Sequence, residues 1–354
     1  MTSHVQGTAA QTYPLLCIGH PLLDIQVTNG EELLQKYGLK DNDAILAQEK
    51  HKPLYEEIIR DYNVTYVAGG GAQNAARGAA YILPPNSVVF IGCVGEDEFA
   101  ELLKTANRRE GLAEAYFVKK GEQTGACAVI ITGHHRSLVT SLRAARMFNK
   151  THLAAPDVAR LVEAAQFYYV EGYFITHDVE SALEVAKKAS DVSKIFALNL
   201  SAPYVPEFFK EPLDQIIPYV DILIGNDAEC KTWARTAGLP PGSDIPSIAT
   251  ALAALPKVNT FRPRTVVITQ GAEATVLVSG SAAEAKPRFF PVHALGEDEI
   301  VDTNGAGDAF AGGFLGALVA GKSLEECVAV GHALGTMCVQ LVGPQYKWPK
   351  VEVM

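Results

Sequence analysis

Short runs of apolar and β-branched residues alternate with amphipathic helical patterns along most of this 354-residue chain. The runs are almost continuously apolar, which is typical of strands buried on both faces of a parallel sheet. The helices predicted between them would cover those faces. The sequence therefore predicts an α/β fold with a mostly parallel sheet. The predicted strands are residues 15–19, 88–92, 167–171, 195–200, 222–225, 265–269 and 275–278, and the predicted helices are 71–82, 98–109, 155–164, 179–189 and 227–237.

Residues 21–67 and 115–142 break this alternation. The first stretch holds short apolar pieces around a charged helical segment. The second has the pattern of three short strands, at 115–118, 126–132 and 137–142. Strands without intervening helices indicate antiparallel or mixed pairing. We therefore predict that the two stretches form a small β-rich domain over one end of the sheet, and that residues 1–20, 68–114 and 143–354 form the large domain.

The chain is acidic, with a formal net charge of −10. This balance provides no general basic surface for nucleic acid or an anionic membrane, so a phosphate-bearing substrate needs a local positive site. The six scattered cysteines include no C-x-x-C pair and are typical of buried, reduced thiols. The first thirteen residues hold no apolar signal segment, and no apolar run is long enough to span a membrane. We expect a cytoplasmic protein without a nucleic-acid or membrane partner.

The segment DTNGAGDAF, residues 302–310, combines a glycine-rich turn with the predicted start of a helix. A β-like segment at 299–301 is predicted to enter the turn. Gly305, Ala306 and Gly307 leave the backbone N–H groups unobstructed at the helix start, where the helix dipole also favours an anion. The pattern indicates a site that stabilises charge on a transferring phosphoryl group.

Asp308 lies in the first turn of that helix, where a carboxylate is a poor partner for phosphate. One interpretation is stabilisation of the helix N-terminus, worth about 0.3–1 kcal/mol. The other is a general base that accepts a proton from a substrate hydroxyl as it attacks the phosphoryl group. The apolar, glycine-dense residues 309–314 favour the second, because tight packing would hold the side chain in place. The chain lacks the H-R-D and D-F-G elements of protein kinases.

A second glycine cluster, AGGGAQNAAR at residues 68–77, follows an apolar run and opens a helix. Three consecutive glycines can be a flexible turn between domains. The alternative is that the backbone at Gly69 and Gly70 approaches a ligand closely, with Asn74 donating and accepting hydrogen bonds from the first helical turn. The sequence leaves both interpretations open.

These two glycine segments, with VVFIGCVGEDEF between them, resemble the paired signatures of the ribokinase (PfkB) family of carbohydrate and nucleoside kinases. The resemblance covers nearly the whole chain and implies a ribokinase-like three-layer α/β/α domain with a mostly parallel central sheet plus a small β-rich lid domain. The segments GHPLLD, LNLSAP and PYVDIL are most similar to the eukaryotic branch that phosphorylates adenosine. The resemblance thus implies transfer of the γ-phosphoryl group of ATP, with Mg²⁺, to the adenosine 5′-hydroxyl. A kinase for another nucleoside or sugar, such as inosine or ribose, and a catalytically silent adenosine-binding protein are the alternatives.

On the acceptor side, the resemblance assigns Asp24 to the ribose, where one carboxylate can accept from two vicinal hydroxyls. It assigns Gly69, Gly70 and Asn74 to further sugar contacts that direct the 5′-hydroxyl toward Asp308, the implied general base. The side chains that it assigns to the purine base are Leu138, Leu142 and Phe174.

On the nucleotide side, the resemblance assigns Arg136 to the transferring phosphoryl group. Asn226 and Glu229 match an N-x-x-E element in which Glu229 holds Mg²⁺ through water. The same pair could also be a helix N-cap with an ordinary first-turn acid, and the two roles are compatible. The other residues assigned to ATP are Thr269, Gly271, Asp302 and His332.

Two departures from the adenosine-phosphorylating pattern leave the nucleoside preference open. His20 stands where that branch commonly carries an asparagine that contacts the nucleoside. Gly71 and Ala72 replace small hydroxyl-bearing residues, which removes side-chain hydrogen bonds. The resemblance requires no protein partner, and we expect a monomer that binds adenosine and ATP.

Overall fold

The computed structural model describes residues 12–41, 43–133, 135–280 and 286–354, so the beginning of the predicted large domain lies outside the described residues. The strands are β1 (Leu15–Ile18), β2 (Leu22–Thr28), β3 (Ala44–Leu46), β4 (Val64–Gly69), β5 (Val88–Gly95), β6 (Ala113–Lys119), β7 (Gly125–Thr132), β8 (His135–Ser141), β9 (Phe167–Glu171), β10 (Ile195–Asn199), β11 (Ile222–Asn226), β12 (Thr265–Gln270), β13 (Glu273–Ser279) and β14 (Arg288–Phe290). The α-helices are α1 (Glu31–Tyr37), α2 (Lys52–Asp61), α3 (Gly71–Ile82), α4 (Glu98–Glu110), α5 (Lys150–Leu153), α6 (Pro156–Ala164), α7 (Gly172–Ile175), α8 (Val179–Asp191), α9 (Tyr204–Phe208), α10 (Lys210–Ile216), α11 (Asp227–Thr236), α12 (Ile245–Ala253), α13 (Ala306–Val319) and α14 (Leu324–Val339).

A nine-stranded sheet in the order β14-β13-β12-β11-β10-β9-β1-β5-β6 forms the centre of the molecule. Its strands pair in parallel from β12 to β6, whereas β13 and β14 are antiparallel at one edge. Successive residues of β1 face opposite sides: Leu16 belongs to the core cluster that includes residues of α6, α8, α10 and α12, and Cys17 belongs to the one that includes residues of α3, α13 and α14. The helices therefore cover both faces, and the predicted three-layer fold class with a mostly parallel sheet is confirmed.

A second sheet, in the order β3-β8-β7-β2-β4, contains the short strands of the two irregular stretches. One of its faces packs on α1 and α2 through residues such as Ile25, Leu54 and Ile130. The strand predicted at 115–118 was placed wrongly, because it is part of β6 and pairs in parallel with β5 of the large sheet. Helix α4 connects β5 to β6, and such a strand–helix–strand unit joins neighbouring parallel strands. The division of the chain into two domains stays a prediction.

The approach to the phosphate turn also differs from the prediction. No strand forms at 299–301 within this described part of the chain. The acidic run Glu297–Glu299 makes a 3₁₀ turn, and the N–H groups of Val301 and Asp302 both donate to the carbonyl of Val339, at 2.8 and 3.1 Å. A single acceptor on helix α14 cannot extend a ladder, so the segment is anchored without becoming a strand. Among the described residues, no helix combines the length and apolar character that crossing a membrane requires.

Candidate active site

A cleft with a volume of about 290 Å³ lies where the carboxyl ends of β9–β12 face the open side of the small sheet. In open α/β sheets, ligands bind at this edge of the strands. The small sheet contributes side chains from β2, β3, β7 and β8, and helices α3, α11 and α13 begin at the cleft. Of the predicted site residues, those that line it are His20, Asp24, Gly70, Asn74, Leu138, Leu142, Asn226, Glu229, Thr269, Gly305, Gly307 and Asp308.

The start of helix α13 forms one wall of the cleft. Gly305 is its N-cap residue and has a left-handed backbone, with φ 78°. A Cβ atom on Gly305 would lie 2.5 Å from the Cβ of Pro344, so glycine is required for both conformation and space. No side chain caps this helix start, and a Cβ on Gly307 would meet open space. The helix N-terminus thus opens toward the cleft in a manner suited to an anion.

Asp308 lies half-buried beside this helix start. Its Oδ2 accepts a hydrogen bond from Nδ2 of Asn74, at 3.0 Å, which joins the two glycine segments across 234 residues of sequence. Desolvation raises the pKa of Asp308 from 3.8 to about 7, while the hydrogen bond from Asn74 opposes the shift. A carboxylate with this pKa can accept a proton near neutral pH.

Asp24 sits against the other glycine segment. A Cβ on Gly69 would lie 2.3 Å from Oδ1 of Asp24, and a Cβ on Gly70 would lie 2.1 Å from the carbonyl oxygen of His20. Gly70 also has φ 88°. Close packing against the protein itself therefore requires both glycines, and the approach of this turn to a ligand stays a prediction. Burial, and then repulsion from Asp308, raise the pKa of Asp24 to about 7.

Asp302 and Arg136 form an ion pair at the entrance to the phosphate turn. Nε of Arg136 lies 2.5 Å from Oδ1 of Asp302, and the guanidinium also donates to the carbonyl of Val301 at 3.1 Å. The buried Asp302 carboxylate additionally accepts from the N–H groups of Asn304 and Gly343, at 2.9 and 2.8 Å. Its oxygens therefore organise the turn and do not line the cleft.

Glu229 and Asn226 make a reciprocal cap at the start of α11. Glu229 accepts from the N–H and Nδ2 of Asn226, at 2.9 and 2.8 Å, and its own N–H donates to Oδ1 of Asn226 at 2.9 Å. Burial raises the pKa of Glu229 to about 7. No group of three or more His, Cys, Asp or Glu side chains that could enclose a metal occurs among the described residues. The Asn226 and Glu229 side chains, which line the cleft, fit a hydrated Mg²⁺ that is held through water, because Mg²⁺ keeps much of its hydration shell.

Three predicted residues lie behind or beside the cleft. Phe174 is fully buried, and its ring packs 5.5 Å from that of His20. Nε2 of His332 forms a hydrogen bond with the hydroxyl oxygen of Thr275, at 2.8 Å. Gly271 has φ 60° in the turn between β12 and β13. Burial lowers the pKa of His20 to about 3, so its imidazole is neutral in the folded protein.

Residues 31–351 match the sequence pattern of the pfkB family carbohydrate kinases. The chain belongs to the pfkB carbohydrate kinase family. The predicted family is thus confirmed, and with it the predicted enzyme class, a phosphotransferase with an alcohol group as acceptor.

Several relatives of this pfkB family chain are named adenosine kinases. The protein from Schizophyllum commune is 61% identical over 343 residues, which cover 97% of this chain and 99% of that protein. The one from Schizosaccharomyces pombe is 44% identical over 342 residues, which cover 96% of this chain and 98% of that protein. Among solved structures, Anopheles gambiae adenosine kinase in complex with P1,P4-di(adenosine-5) tetraphosphate has a TM-score of 0.88 at 42% identity, covering 93% of this chain and 96% of that one. Schistosoma mansoni adenosine kinase in complex with 2-fluoroadenosine has a TM-score of 0.88 at 31% identity, covering 94% and 97%.

The cleft of this pfkB family member also contains polar residues that the sequence analysis did not single out. Glu171 and Asn199 end strands β9 and β10, whose existence was predicted, so the rule that ligands bind at the carboxyl ends of parallel strands could have identified them. Asn304 and Ser201 lie inside the DTNGAGDAF and LNLSAP segments, so the sequence analysis had reached their surroundings without assigning them. No comparable sequence signal marks the remaining residues, which reach the cleft through tertiary packing. They are Cys127, Thr140, Tyr173, His177 and Tyr204.

Proposed function

We propose that this protein catalyses the adenosine kinase reaction, in which the γ-phosphoryl group of ATP is transferred to the 5′-hydroxyl of adenosine to give AMP and ADP. The observation that carries the proposal is the 3.0 Å hydrogen bond from Asn74 to Asp308 at the open start of helix α13. It brings a carboxylate, an anion-binding helix terminus and the glycine turn into one cleft. The high identity to named adenosine kinases supports adenosine as the acceptor.

The acceptor half of the cleft would hold the nucleoside between the two sheets. Asp24 accepts hydrogen bonds from the ribose hydroxyls, and the backbone at Gly69 and Gly70 approaches the sugar. Asn74 contacts the sugar and keeps the Asp308 carboxylate in place. Leu138 and Leu142, which line the cleft, cover the purine, and Phe174 supports this wall from behind through His20.

The transfer step follows from the groups at the start of α13. Asp308 accepts the proton of the 5′-hydroxyl as that oxygen attacks the γ-phosphorus. The amides of Gly305, Ala306 and Gly307 hydrogen-bond the transferring group and stabilise its charge. Arg136 supplies positive charge at the entrance of the phosphate turn.

Mg²⁺ fits the residues at the start of α11. When bound with ATP, it neutralises charge on the phosphate oxygens. Asn226 and Glu229 would hold waters of the ion, Thr269 and Gly271 would contact the phosphates, and His332 would lie near the nucleotide base. Asp302 would act on ATP indirectly, since its carboxylate holds the phosphate turn and Arg136.

We further propose a cytoplasmic monomer in which residues 21–67 and 115–142, apart from strand β6, form a lid that closes over the nucleoside and excludes water. Analytical ultracentrifugation of the ligand-free protein should give a single species of 37.9 kDa. A stable dimer would contradict the monomer.

The experiment that tests the function is the initial rate of ADP formation from ATP and Mg²⁺ with a panel of acceptors. We expect adenosine to give the highest kcat/KM, ahead of inosine and ribose. A higher value for inosine or ribose would move the proposal to another substrate. Tight binding of adenosine without ADP formation would instead identify a catalytically silent binding protein.

A further inference from the structure

Glu171 is a buried carboxyl group that the proposed transfer step does not use. It is the last residue of β9, it is 1% exposed, and it lines the cleft. Burying a carboxyl group has a large free-energy cost unless nearby groups compensate for the lost water. Its place at the carboxyl end of a central strand, beside the base of the proposed reaction, therefore calls for a functional explanation.

The hydrogen bonds of Glu171 join the two turns that frame the acceptor half of the cleft. Oε1 accepts from the N–H of His20, in the turn after β1, at 3.0 Å. Oε2 accepts from the N–H of Ala72, in the first turn of α3, at 2.6 Å. These turns are 151 and 99 residues away from Glu171 in sequence. One carboxyl group thus ties together the segments that carry His20 and the Gly69–Gly70 backbone, with one N–H donor on each of its oxygens.

The glycine at position 71 leaves the space that this carboxylate fills. A Cβ on Gly71 would lie 2.6 Å from Oε2 of Glu171 and 3.2 Å from Oδ1 of Asp308. The carboxyl groups of Glu171 and Asp308 are therefore neighbours, and both lie close to the Cα of Gly71. The departure of Gly71 and Ala72 from hydroxyl-bearing residues is matched here by a carboxylate that takes hydrogen bonds directly from the backbone.

Among the titratable groups that interact with Glu171, Asp308 has a pKa of about 7, so it loses its proton before Glu171 does. Burial raises the pKa of the Tyr169 and Tyr173 phenols and that of Tyr204, which all stay protonated. The imidazole of His20 is neutral. Burial, and then repulsion from Asp308, raise the pKa of Glu171 to about 8. Asp24 and Glu229, which interact with Asp308, belong to the same acidic surroundings.

We infer that Glu171 is a positioning residue for phosphoryl transfer, which fixes the two turns around the acceptor beside Asp308. The inference rests on the proposed function and adds to it a residue that acts through the backbone of these turns. It requires no contact between Glu171 and the substrate.

The test is the kcat and KM for adenosine of Glu171→Gln, measured by ADP release from pH 5.5 to 9. An amide cannot accept both N–H groups, so the KM for adenosine should rise at least about threefold, by a larger factor than kcat falls. Asp308, with a pKa of about 7, loses its proton while Glu171, with a pKa of about 8, still keeps its own, so the ascending limb of kcat/KM should stay within about half a pH unit of the wild type. A KM equal to that of the wild type overturns the inference.

The matched control is Glu114→Gln, which removes a half-buried glutamate on β6 that does not line the cleft. Its KM should equal that of the wild type, and an equal rise in both variants would contradict a specific role of Glu171. The proposed function is judged separately, by turnover in the wild type. If another acceptor proves to be the substrate, the KM measured for that acceptor still decides the role of Glu171.

Two further variants keep the test decisive if Glu171→Gln does not fold. Glu171→Asp draws the oxygens back from the N–H groups, so KM should rise as it does in Glu171→Gln. Gly71→Ala should reduce kcat/KM at least about tenfold by its clash with Oε2, and the same change in a Glu171→Ala background should cost less, because only the 3.2 Å contact with Asp308 remains. A wild-type KM in Glu171→Asp, or equal losses in both backgrounds, would overturn the inference.

Discussion

At the scale of single residues, the hydrogen bond of Asp308 bears on its two interpretations. A carboxylate that caps a helix accepts from N–H groups of the first turn. Asp308 instead accepts from Asn74 on α3, and helix α13 has no side-chain cap. The carboxylate is thus held toward the glycine turn, as the proposed general base requires, and a favourable interaction with the helix dipole is compatible with that role.

Asp308→Asn keeps the shape of the side chain but removes its basicity. We expect kcat to fall at least about 100-fold while the affinity for adenosine, measured by calorimetry, changes little. The control is Asp244→Asn, because Asp244 caps α12 by accepting from the N–H of Ser247 and lies outside the cleft lining. Wild-type turnover in Asp308→Asn would refute the assignment of the base.

At the scale of elements, the turn between β4 and α3 depends on Gly70. Gly70→Ala would impose a side chain at φ 88° and set its Cβ 2.1 Å from the carbonyl oxygen of His20. The turn must then shift, so we expect kcat/KM for adenosine to fall more than about tenfold, with backbone strain of about 1–3 kcal/mol. Gly121→Ala is the matched control, since Gly121 has φ 78° but no atom within 4 Å of the added Cβ. It should destabilise the fold without changing kcat/KM; equal kinetic losses in the two variants would contradict the prediction.

A buried ion pair joins α3 to α4 behind this turn. Nε of Arg77 lies 3.3 Å from Oε2 of Glu110, with side chains 3% and 2% exposed, and Arg77 also donates to the carbonyl of Ala68 at 3.0 Å. Glu110→Ala leaves a buried guanidinium without its partner, so urea unfolding should show a loss of about 3–5 kcal/mol. Removing the exposed partner of Lys210 with Asp214→Ala should cost less than about 1 kcal/mol. Comparable losses would show that the buried pair is not the cause.

The elements that could be predicted are those whose residues carry their own signal. Helix α3 has the predicted bounds, Gly71–Ile82, because a glycine cluster precedes it and apolar residues follow at helical spacing. The partner of a strand is not encoded locally, and so β6 was assigned to the wrong sheet. Glu171 has the same limitation, because its partners are set by the crossing of β1, β9 and α3. The glycine turns, in contrast, pointed to Asp308 and Asn74 without knowledge of the fold, and the structure brings both to the cleft.

At the scale of the whole molecule, the cleft concentrates carboxyl groups that oppose folding when ionised. The pKa values of Asp24, Glu229 and Asp308 are raised to about 7, and that of Glu171 to about 8, with burial as the largest cause in each. Each folded-state pKa exceeds the unfolded one, so the folded state binds these protons more tightly. Their contribution to the free energy of unfolding is fully present below pH about 4 and is lost as the pH rises to 7–8. His20 acts in the opposite direction, and its contribution is lost as the pH falls below 6.5 toward about 3.

Asp308→Asn should therefore change the pH dependence of stability as well as turnover. Because the variant has no proton to lose at this position, its free energy of unfolding without ligand should decline less than that of the wild type between pH 5 and 8. Relative to the wild type, it should be most stabilised at pH 8, although it is the less active enzyme. Urea unfolding at pH 5, 6.5 and 8 measures this difference, and parallel profiles for the two proteins would contradict it. Asp244→Asn provides the matched comparison, since the hydrogen bonds from Ser247 lower the pKa of Asp244 and that group is already ionised across this range. A stabilised, inactive Asp308→Asn would show that the fold holds a carboxylate at the start of α13 for chemistry, against its own stability.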